Sequence, residues 1–198
     1  MSTSSPDAAP ETPEQEFEAR VNETLHLACV LARKLIGAHQ AAMGLIVGGD
    51  WGHARKYFSL SDKYAAWEDF TPPAKGLGLH GLVVSENQAI RLTEAEVEAH
   101  PDYRGFSEWG ETHPPMRGWL AVPLVGEDGR NYGLLQLSDK VDGSDFTEED
   151  ERLLEELADL AELSLDALSK VQRLRNGEAA TSVPRPPSDA QFVHIEPV

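Results

Sequence analysis

The sequence predicts an α+β domain in which a central antiparallel sheet is flanked by helices, with long helices at its N- and C-terminal ends. Three observations support this prediction. Residues 13–36 and 147–176 repeat apolar residues every three or four positions, which is typical of amphipathic helices. Between them lie short β-favouring runs separated by turn residues. The strongest is 119–137, where two apolar runs enclose the turn GEDGRN and predict a β-hairpin.

The first helix is predicted from Pro13 to Ile36. Thr12 can cap it, Pro13 suits the first helical position, and Gly37 follows its end. Residues 1–12 are mainly Ser, Pro, Ala and acidic residues, and they predict a disordered lead-in. The domain therefore covers 13–176, and the proline-rich residues 177–198 predict a disordered tail.

The middle of the chain alternates between strands and short helices. Residues 41–47 and 55–60 predict an antiparallel pair, and 89–92 a further strand. Short helices are predicted at 62–67 and 79–85, and a third begins at Thr93 with a capping-box pattern. Residues 101–115 read as irregular. Both strands of the hairpin are apolar on two faces, which favours positions inside the sheet, although Pro123 cannot donate to a ladder.

The last helix carries two apolar stripes. One is a heptad seam formed by Leu153, Leu157, Leu160, Ser164, Ala167, Val171 and Leu174. The second, on a neighbouring face, consists of Leu154, Ala161, Leu165 and Leu168. One stripe can pack on the sheet while the other contacts a partner helix. We therefore predict a homodimer whose seam contains Leu153, Leu157, Leu160, Val171 and Leu174.

Charge and cysteine content exclude several classes of function. The chain has 17 basic and 34 acidic residues, a formal charge of −17, so nucleic acid and anionic membranes would be repelled. The single cysteine, Cys29, cannot form an internal disulfide. With no secretory signal and no run of about 20 apolar residues, the sequence predicts a soluble cytoplasmic protein. Seven scattered histidines do not predict a metal site.

The C-terminal half resembles a known family. The segments RGWLAVPL (117–124), GLLQL (133–137) and FTEED (146–150), followed by a leucine-rich helix, resemble the C-terminal half of a GAF domain. Residues 76–93 are similar to the middle of that family, and the resemblance extends over residues 14–175. It implies a sheet of the GAF/PAS type.

Cyclic-nucleotide-binding GAF domains carry an Asn-Lys pair followed by Phe and then Asp-Glu. This chain has Asp139-Lys140, Phe146 and Asp150-Glu151, so it departs at the first position. We predict that Lys140, Phe146 and Asp150 form a structural latch in which Lys140 pairs with Asp150 while Phe146 plugs the sheet edge. Such a latch supports the fold more than it supports nucleotide binding.

GAF relatives bind small molecules between the sheet and the irregular segments before the hairpin. Carried onto this sequence, the resemblance implies the candidate ligand-binding residues Tyr57, Ser59, Trp67, His80, Arg91, Thr93, His113, Arg117 and Gln136. Aromatic walls with a few polar groups suit a flat or amphipathic ligand. The alternative is that these aromatics simply belong to the core. The sequence identifies neither the ligand nor a cofactor.

Two functions follow from the resemblance. The first is a non-catalytic signalling domain that binds a small molecule and transmits occupancy through a dimer of terminal helices. The second is a ligand-free scaffold that mediates dimerisation and binds a signalling protein. A third, a GAF-like methionine sulfoxide reductase, needs a nucleophilic and a resolving cysteine, and light-sensing relatives need a cysteine in the loop region. Cys29 meets neither requirement, so no enzyme activity and no covalent bilin are predicted.

Overall fold

In the computed structural model, five strands form one antiparallel sheet in the order β2-β1-β5-β4-β3. The structure describes residues 12–47, 50–67, 78–103 and 115–175. The strands are β1 (Ala38–Val47), β2 (Asp50–Leu60), β3 (Ile90–Leu92), β4 (Trp119–Val125) and β5 (Asn131–Lys140). The helices are α1 (Pro13–Ile36), α2 (Leu79–Glu86), α3 (Glu94–Ala99) and α4 (Glu148–Arg175), with a 3-10 helix at Asp62–Trp67. The predicted α+β class is confirmed.

Helix α1 begins and ends as its sequence predicts. Thr12 and Gln15 form a reciprocal capping box, because the Thr12 hydroxyl accepts from the Gln15 N–H and the Gln15 amide oxygen accepts from the Thr12 N–H. Gly37 terminates the helix at φ +77°, a left-handed conformation that glycine adopts without penalty. Thr93 and Glu96 form the same box at the start of α3.

The hairpin strands β4 and β5 lie inside the sheet. Strand β5 pairs with both β1 and β4, and β4 also pairs with β3. Pro123 is compatible with this position because β3 is only three residues long and pairs with residues 119–121 of β4. Pro123 therefore lies beyond the β3 ladder, where a missing N–H breaks no pairing with that strand.

The sheet separates two hydrophobic cores. On one face, α1 and α4 pack over alternate residues of the strands, including Met43, Leu120 and Leu135. On the other face, α2 and α3 pack near β3, β4 and β5 around Trp119 and Leu134. We refer to these as the long-helix face and the short-helix face. Strand residues alternate between them, since successive side chains point to opposite sides.

Helix α4 buries one stripe and exposes another. Leu154, Leu157, Ala158 and Ala161 are buried against the sheet and α1. Leu160, Val171 and Leu174 are 57%, 49% and 63% exposed. Helices α1 and α4 are antiparallel neighbours, and Arg175 at the end of α4 lies 3.5 Å from Glu16 at the start of α1.

Several predictions concern residues outside the described ranges: the lead-in up to residue 11, the turn at 48–49, most of the irregular segment 101–115 and the tail 177–198. Across the ranges that the structure does describe, no helix has the length and apolar character needed to span a bilayer.

Candidate functional site

A partly buried polar network lies on the short-helix face. The Gln136 Oε1 atom on β5 is 2.7 Å from Nε2 of His80 on α2 and 2.9 Å from Nε1 of Trp119 on β4. The rings of His80 and Trp119 meet edge to face, with centroids 5.7 Å apart. Three elements therefore converge on one amide oxygen.

The chemistry of the network fixes the tautomer of His80. An indole N–H can only donate, so the atom facing Trp119 must be the amide oxygen of Gln136. The same oxygen can only accept, so Nε2 of His80 carries a proton. Burial lowers the pKa of His80, while the bond to Gln136 acts in the opposite direction. A neutral imidazole with its proton on Nε2 leaves Nδ1 as an acceptor.

Gln136 belongs to a row of residues that crosses the sheet. It pairs in register with Ala42 of β1 and Ala121 of β4, and Ala42 pairs in turn with Phe58 of β2. Residues opposite each other in a ladder project to the same side. Ala121 is buried beneath α2, whereas Ala42 and Phe58 are half-buried. The short-helix face thus offers an aromatic ring and a small residue beside the fixed amide.

Tyr57 and Ser59 project to the opposite, long-helix face. The Tyr57 hydroxyl donates to Asn22 Oδ1 over 2.7 Å, and Arg33 Nε donates to Ser59 Oγ over 2.8 Å, so both residues tie β2 to α1. They do not share a face with Gln136. The side chains of β2 on the same side as Gln136 are instead Lys56, Phe58 and Leu60, one residue out of step with Tyr57 and Ser59.

Arg91 also lies toward the long-helix side. Its register partner is Leu120, and its guanidinium donates to Glu151 over 2.8 Å and to the Phe146 carbonyl over 3.1 Å. Arg91 therefore connects β3 to the start of α4 and lies on the other side of the sheet from His80 and Gln136.

The other predicted ligand residues are dispersed. Thr93 caps α3. Trp67 packs its ring edgewise on Tyr64, with centroids 5.5 Å apart. Arg117 is exposed. His113 lies outside the described residues. Of the candidates that the structure describes, only His80 and Gln136 are in contact with each other on the short-helix face.

A second polar cluster closes the end of the sheet near this site. Asp139 has φ +58°, a conformation that Asp tolerates better than most residues, and its carboxylate accepts from Lys63 over 2.6 Å and from the Tyr64 hydroxyl. Burial alone would raise the pKa of Asp139, but the bonds from Lys63 and Tyr64 outweigh it and hold that pKa below its ordinary value. The 3-10 helix is thereby attached to the end of β5.

The segment leading into β4 is attached at the same place. Gln40 donates to the Pro115 carbonyl over 2.8 Å, and Ser138 donates to the Gly118 carbonyl over 3.1 Å. The Asp139 N–H donates to the Arg117 carbonyl over 3.0 Å. Asp139 therefore connects both the 3-10 helix and the segment before β4 to the end of β5. The GAF motif that contains Asp139 did not predict this role.

The latch residues are in contact at the start of α4. Lys140 Nζ lies 2.6 Å from Asp150 Oδ2, and both side chains are largely buried. The same carboxylate accepts from the N–H and hydroxyl of Thr147, while the Asp150 N–H donates to Thr147 Oγ1. Phe146 is 3% exposed and belongs to the core on the long-helix face.

The residues of the predicted dimer seam are divided between core and surface. Leu157 is 9% exposed and Leu153 packs against the same core, so both contribute to folding of the chain itself. Leu160, Val171 and Leu174 are on the surface together with Leu163, which is 54% exposed. The heptad pattern did not separate these sets, because its stripe drifts around a straight helix.

Cys29 has the environment of a structural thiol. It is fully buried in α1, and its Sγ lies 3.7 Å from the Tyr57 carbonyl. Burial raises its pKa to about 12. Since the thiolate is the reactive form, both the burial and the raised pKa disfavour reaction at this thiol.

Comparison with known proteins agrees with this architecture. The family model described as GAF domain matches residues 18–166. A structure of the blue-light absorbing form of the Thermosynechococcus elongatus PixJ GAF-domain superposes with a TM-score of 0.65 at 14% identity, covering 84% of this chain and 96% of that one. The GAF domain of a phosphoenolpyruvate-protein phosphotransferase from Coxiella burnetii has a TM-score of 0.60 at 22% identity and covers 84% and 92%.

Enzymes are also found among the structural relatives. The type II free methionine-R-sulfoxide reductase from Thermoplasma acidophilum has a TM-score of 0.56 at 18% identity, covering 77% of this chain and 96% of that one. Identities this low establish the fold alone, whereas the family match extends over most of the chain. Sequence, sheet order and family match together show that this protein belongs to the GAF domain family, whose members are mostly sensory and regulatory.

Proposed function

We propose that this chain is a non-catalytic sensory module that binds a small molecule on the short-helix face and reports its occupancy through a dimer of terminal helices. The observation that supports the binding site is the asymmetry of the sheet. The long-helix face is filled by α1 and α4, whereas the short-helix face holds the Gln136 network beside half-buried Ala42 and Phe58.

The chemistry of that face favours a flat ligand with polar edges. Phe58 offers a ring surface, and Ala42 leaves room above the strands next to it. The Gln136 oxygen is occupied by His80 and Trp119, so the orientation of the amide is fixed and its N–H₂ group is directed away from those rings. A pocket with apolar walls and one oriented polar group is typical of small-molecule sites.

The first experiment is native mass spectrometry of the protein purified from its own host, followed by denaturing release of bound molecules. We expect a stoichiometric small molecule on the wild type and on Ala95→Leu, a control at an exposed position of α3. Ala42→Leu should lose it, because the larger side chain fills the proposed site. Equal retention by Ala42→Leu would contradict the location.

A second candidate is the ligand-free scaffold, which a separate observation favours. Within the described ranges, every buried side-chain nitrogen and oxygen has a hydrogen-bond partner, so the network is complete without a ligand. Protein mass alone, together with no thermal shift in a small-molecule screen, would favour this function. In that case dimerisation and binding of a signalling protein would be the working activities.

Both candidates require a dimer, and the exposed leucines of α4 provide its test. Leu160→Lys combined with Leu163→Lys places two charges on the surface without disturbing the core, since both positions are more than half exposed. We expect sedimentation to show a monomer with unchanged circular dichroism. A dimer that survives the double change would contradict signalling through this helix.

The environment of Cys29 does not support the third hypothesis, a GAF-like methionine sulfoxide reductase. Thiol-based reduction of a sulfoxide needs an accessible thiolate, and Cys29, the chain's single cysteine, is buried on the long-helix side. We propose that the protein resembles the reductase in fold and not in chemistry.

A further inference from the structure

We infer that α4 pairs with α4 of a second copy in the antiparallel orientation, crossing at Ala167. This inference rests on the proposed dimer and adds its geometry. It is supported by the shape of one apolar stripe and by the distribution of charge along the helix.

The stripe consists of exposed residues that share one side of α4: Leu160, Leu163, Ala167, Val171 and Leu174. At 3.6 residues per turn they fall within an arc of about 80°, narrow enough for contact with a single helix. On the neighbouring α1, Leu27 and Leu35 are also exposed, at 52% and 60%.

The stripe is symmetric about its centre. When two copies cross antiparallel at Ala167, Leu160 faces Leu174 of the second copy and Leu163 faces Val171. Apolar residues then meet apolar residues throughout, and the smallest side chain lies at the crossing, where two helix backbones approach most closely. Such self-complementarity is what a two-fold interface requires.

Charge distinguishes this orientation from a parallel one. Residues 159–166, which lie opposite 168–175 in this arrangement, hold three carboxylates and no base, whereas 167–175 hold Lys170, Arg173 and Arg175 and no acid. Antiparallel helices place the basic end of each copy beside the acidic part of the other. In particular, Lys170 and Arg173 lie on the same flank of the seam as Asp159 and Asp166 of the second copy.

A parallel pair would bring like charges together. Glu149 and Glu156 are exposed on the same side of α4 as the leucines. In parallel register each would face its own copy across the seam, and opposed carboxylates repel. Crossing at Ala167 instead moves both glutamates beyond the end of the stripe.

Disulfide trapping tests the orientation. The native Cys29 is buried, so the variant Leu160→Cys/Leu174→Cys supplies the only accessible thiols. The two positions are about 21 Å apart along one helix, whereas a disulfide needs Cα atoms within about 7 Å, so neither chain can close on itself. Under mild oxidation the antiparallel pair gives a linkage between positions 160 and 174 of different chains, and the parallel pair gives 160–160 and 174–174 linkages.

Single variants provide the controls. Leu160→Cys alone should remain uncrosslinked in the antiparallel dimer and would crosslink fully in a parallel one. Glu155→Cys, exposed on another side of α4, should remain uncrosslinked in both. Sedimentation of the unoxidised protein comes first: a monomer overturns the proposed dimer, whereas a dimer with 160–160 linkages, or with none, overturns only this orientation.

Discussion

Replacing Gly133 by alanine should disrupt the middle of the sheet. Gly133 has φ +146°, and a Cβ at this position would lie 1.8 Å from the carbonyl oxygen of Gly44 and 2.9 Å from its carbon. Both are backbone atoms of β1, so no side chain can rotate to relieve the clash. Strand β5 is the central strand, and its pairing with β1 joins the two halves of the sheet.

The size of the effect follows from the geometry. A Cβ contact of 3.0 Å requires the strands to separate by about 1.2 Å. Ladder bonds stretched by this amount exceed hydrogen-bonding distance, and losing two of them costs about 1–3 kcal/mol. The unfavourable φ adds about 1–3 kcal/mol. We expect the free energy of unfolding to fall by about 2–6 kcal/mol, a large part of the total for a domain of this size.

Two glycines provide matched controls for urea denaturation. Gly129→Ala lies in the same hairpin at φ +76° with no atom within 4 Å of the added Cβ, so it should cost only about 1–2 kcal/mol, from its backbone conformation. Gly44→Ala, on the partner strand, also meets no atom and should raise stability by about 0.4–1 kcal/mol. If Gly133→Ala were as stable as Gly129→Ala, the close approach of β5 to β1 would be refuted.

Three further predictions concern polar groups. Gln136→Leu leaves the N–H groups of His80 and Trp119 without their acceptor, so it should lower the free energy of unfolding by about 2–4 kcal/mol. Gln136→Glu places a negative charge beside His80 and should raise the pKa of that histidine in an NMR titration. An unchanged pKa would contradict the contact between the two side chains. Bonds from Lys140 and Thr147 outweigh burial and hold the pKa of Asp150 below its ordinary value. The contribution of Asp150 to the free energy of unfolding is therefore complete above about pH 4 and is lost as the pH falls through the lowered pKa of the folded state. Asp150→Asn should therefore be less stable than wild type at pH 7, with a difference that narrows below pH 4 in denaturant titrations, and a constant difference would count against the pair. Cys29 should react with a thiol reagent only as fast as the protein unfolds, and rapid labelling of the native state would show that the thiol is accessible.

Local patterns predicted most of the secondary structure because local chemistry determines it. Thr12 and Gly37 specify the ends of α1 through caps that involve a few neighbouring residues. The hairpin 119–137 was recognisable because its turn and both strands lie within one short stretch. The contact between Lys140 and Asp150 could also be predicted from the sequence, since a single turn joins the two residues.

The candidate site was predicted less well because it depends on strand parity. Tyr57 and Phe58 are adjacent, yet only Phe58 shares a face with Gln136, and a shift of one residue reverses the assignment. Apolar residues occupy both faces of β4 and β5, so the alternation of apolar and polar residues could not show which side chains of these strands lie on which face. The partnership of Asp139 with Lys63 and Tyr64 joins residues far apart in sequence, and no local pattern contains it.

The order β2-β1-β5-β4-β3 also bears on how the chain folds during synthesis. Strands β1 and β2 can pair as soon as they emerge, but the other edge of β1 waits for β5, which follows about 95 residues later, or roughly 5–20 s at typical translation rates. During this interval β1 presents unpaired N–H and C=O groups beside apolar residues such as Met43, a combination that templates aggregation. Chaperone dependence and inclusion-body formation should therefore respond to changes in β1 more strongly than to equally destabilising changes in α4.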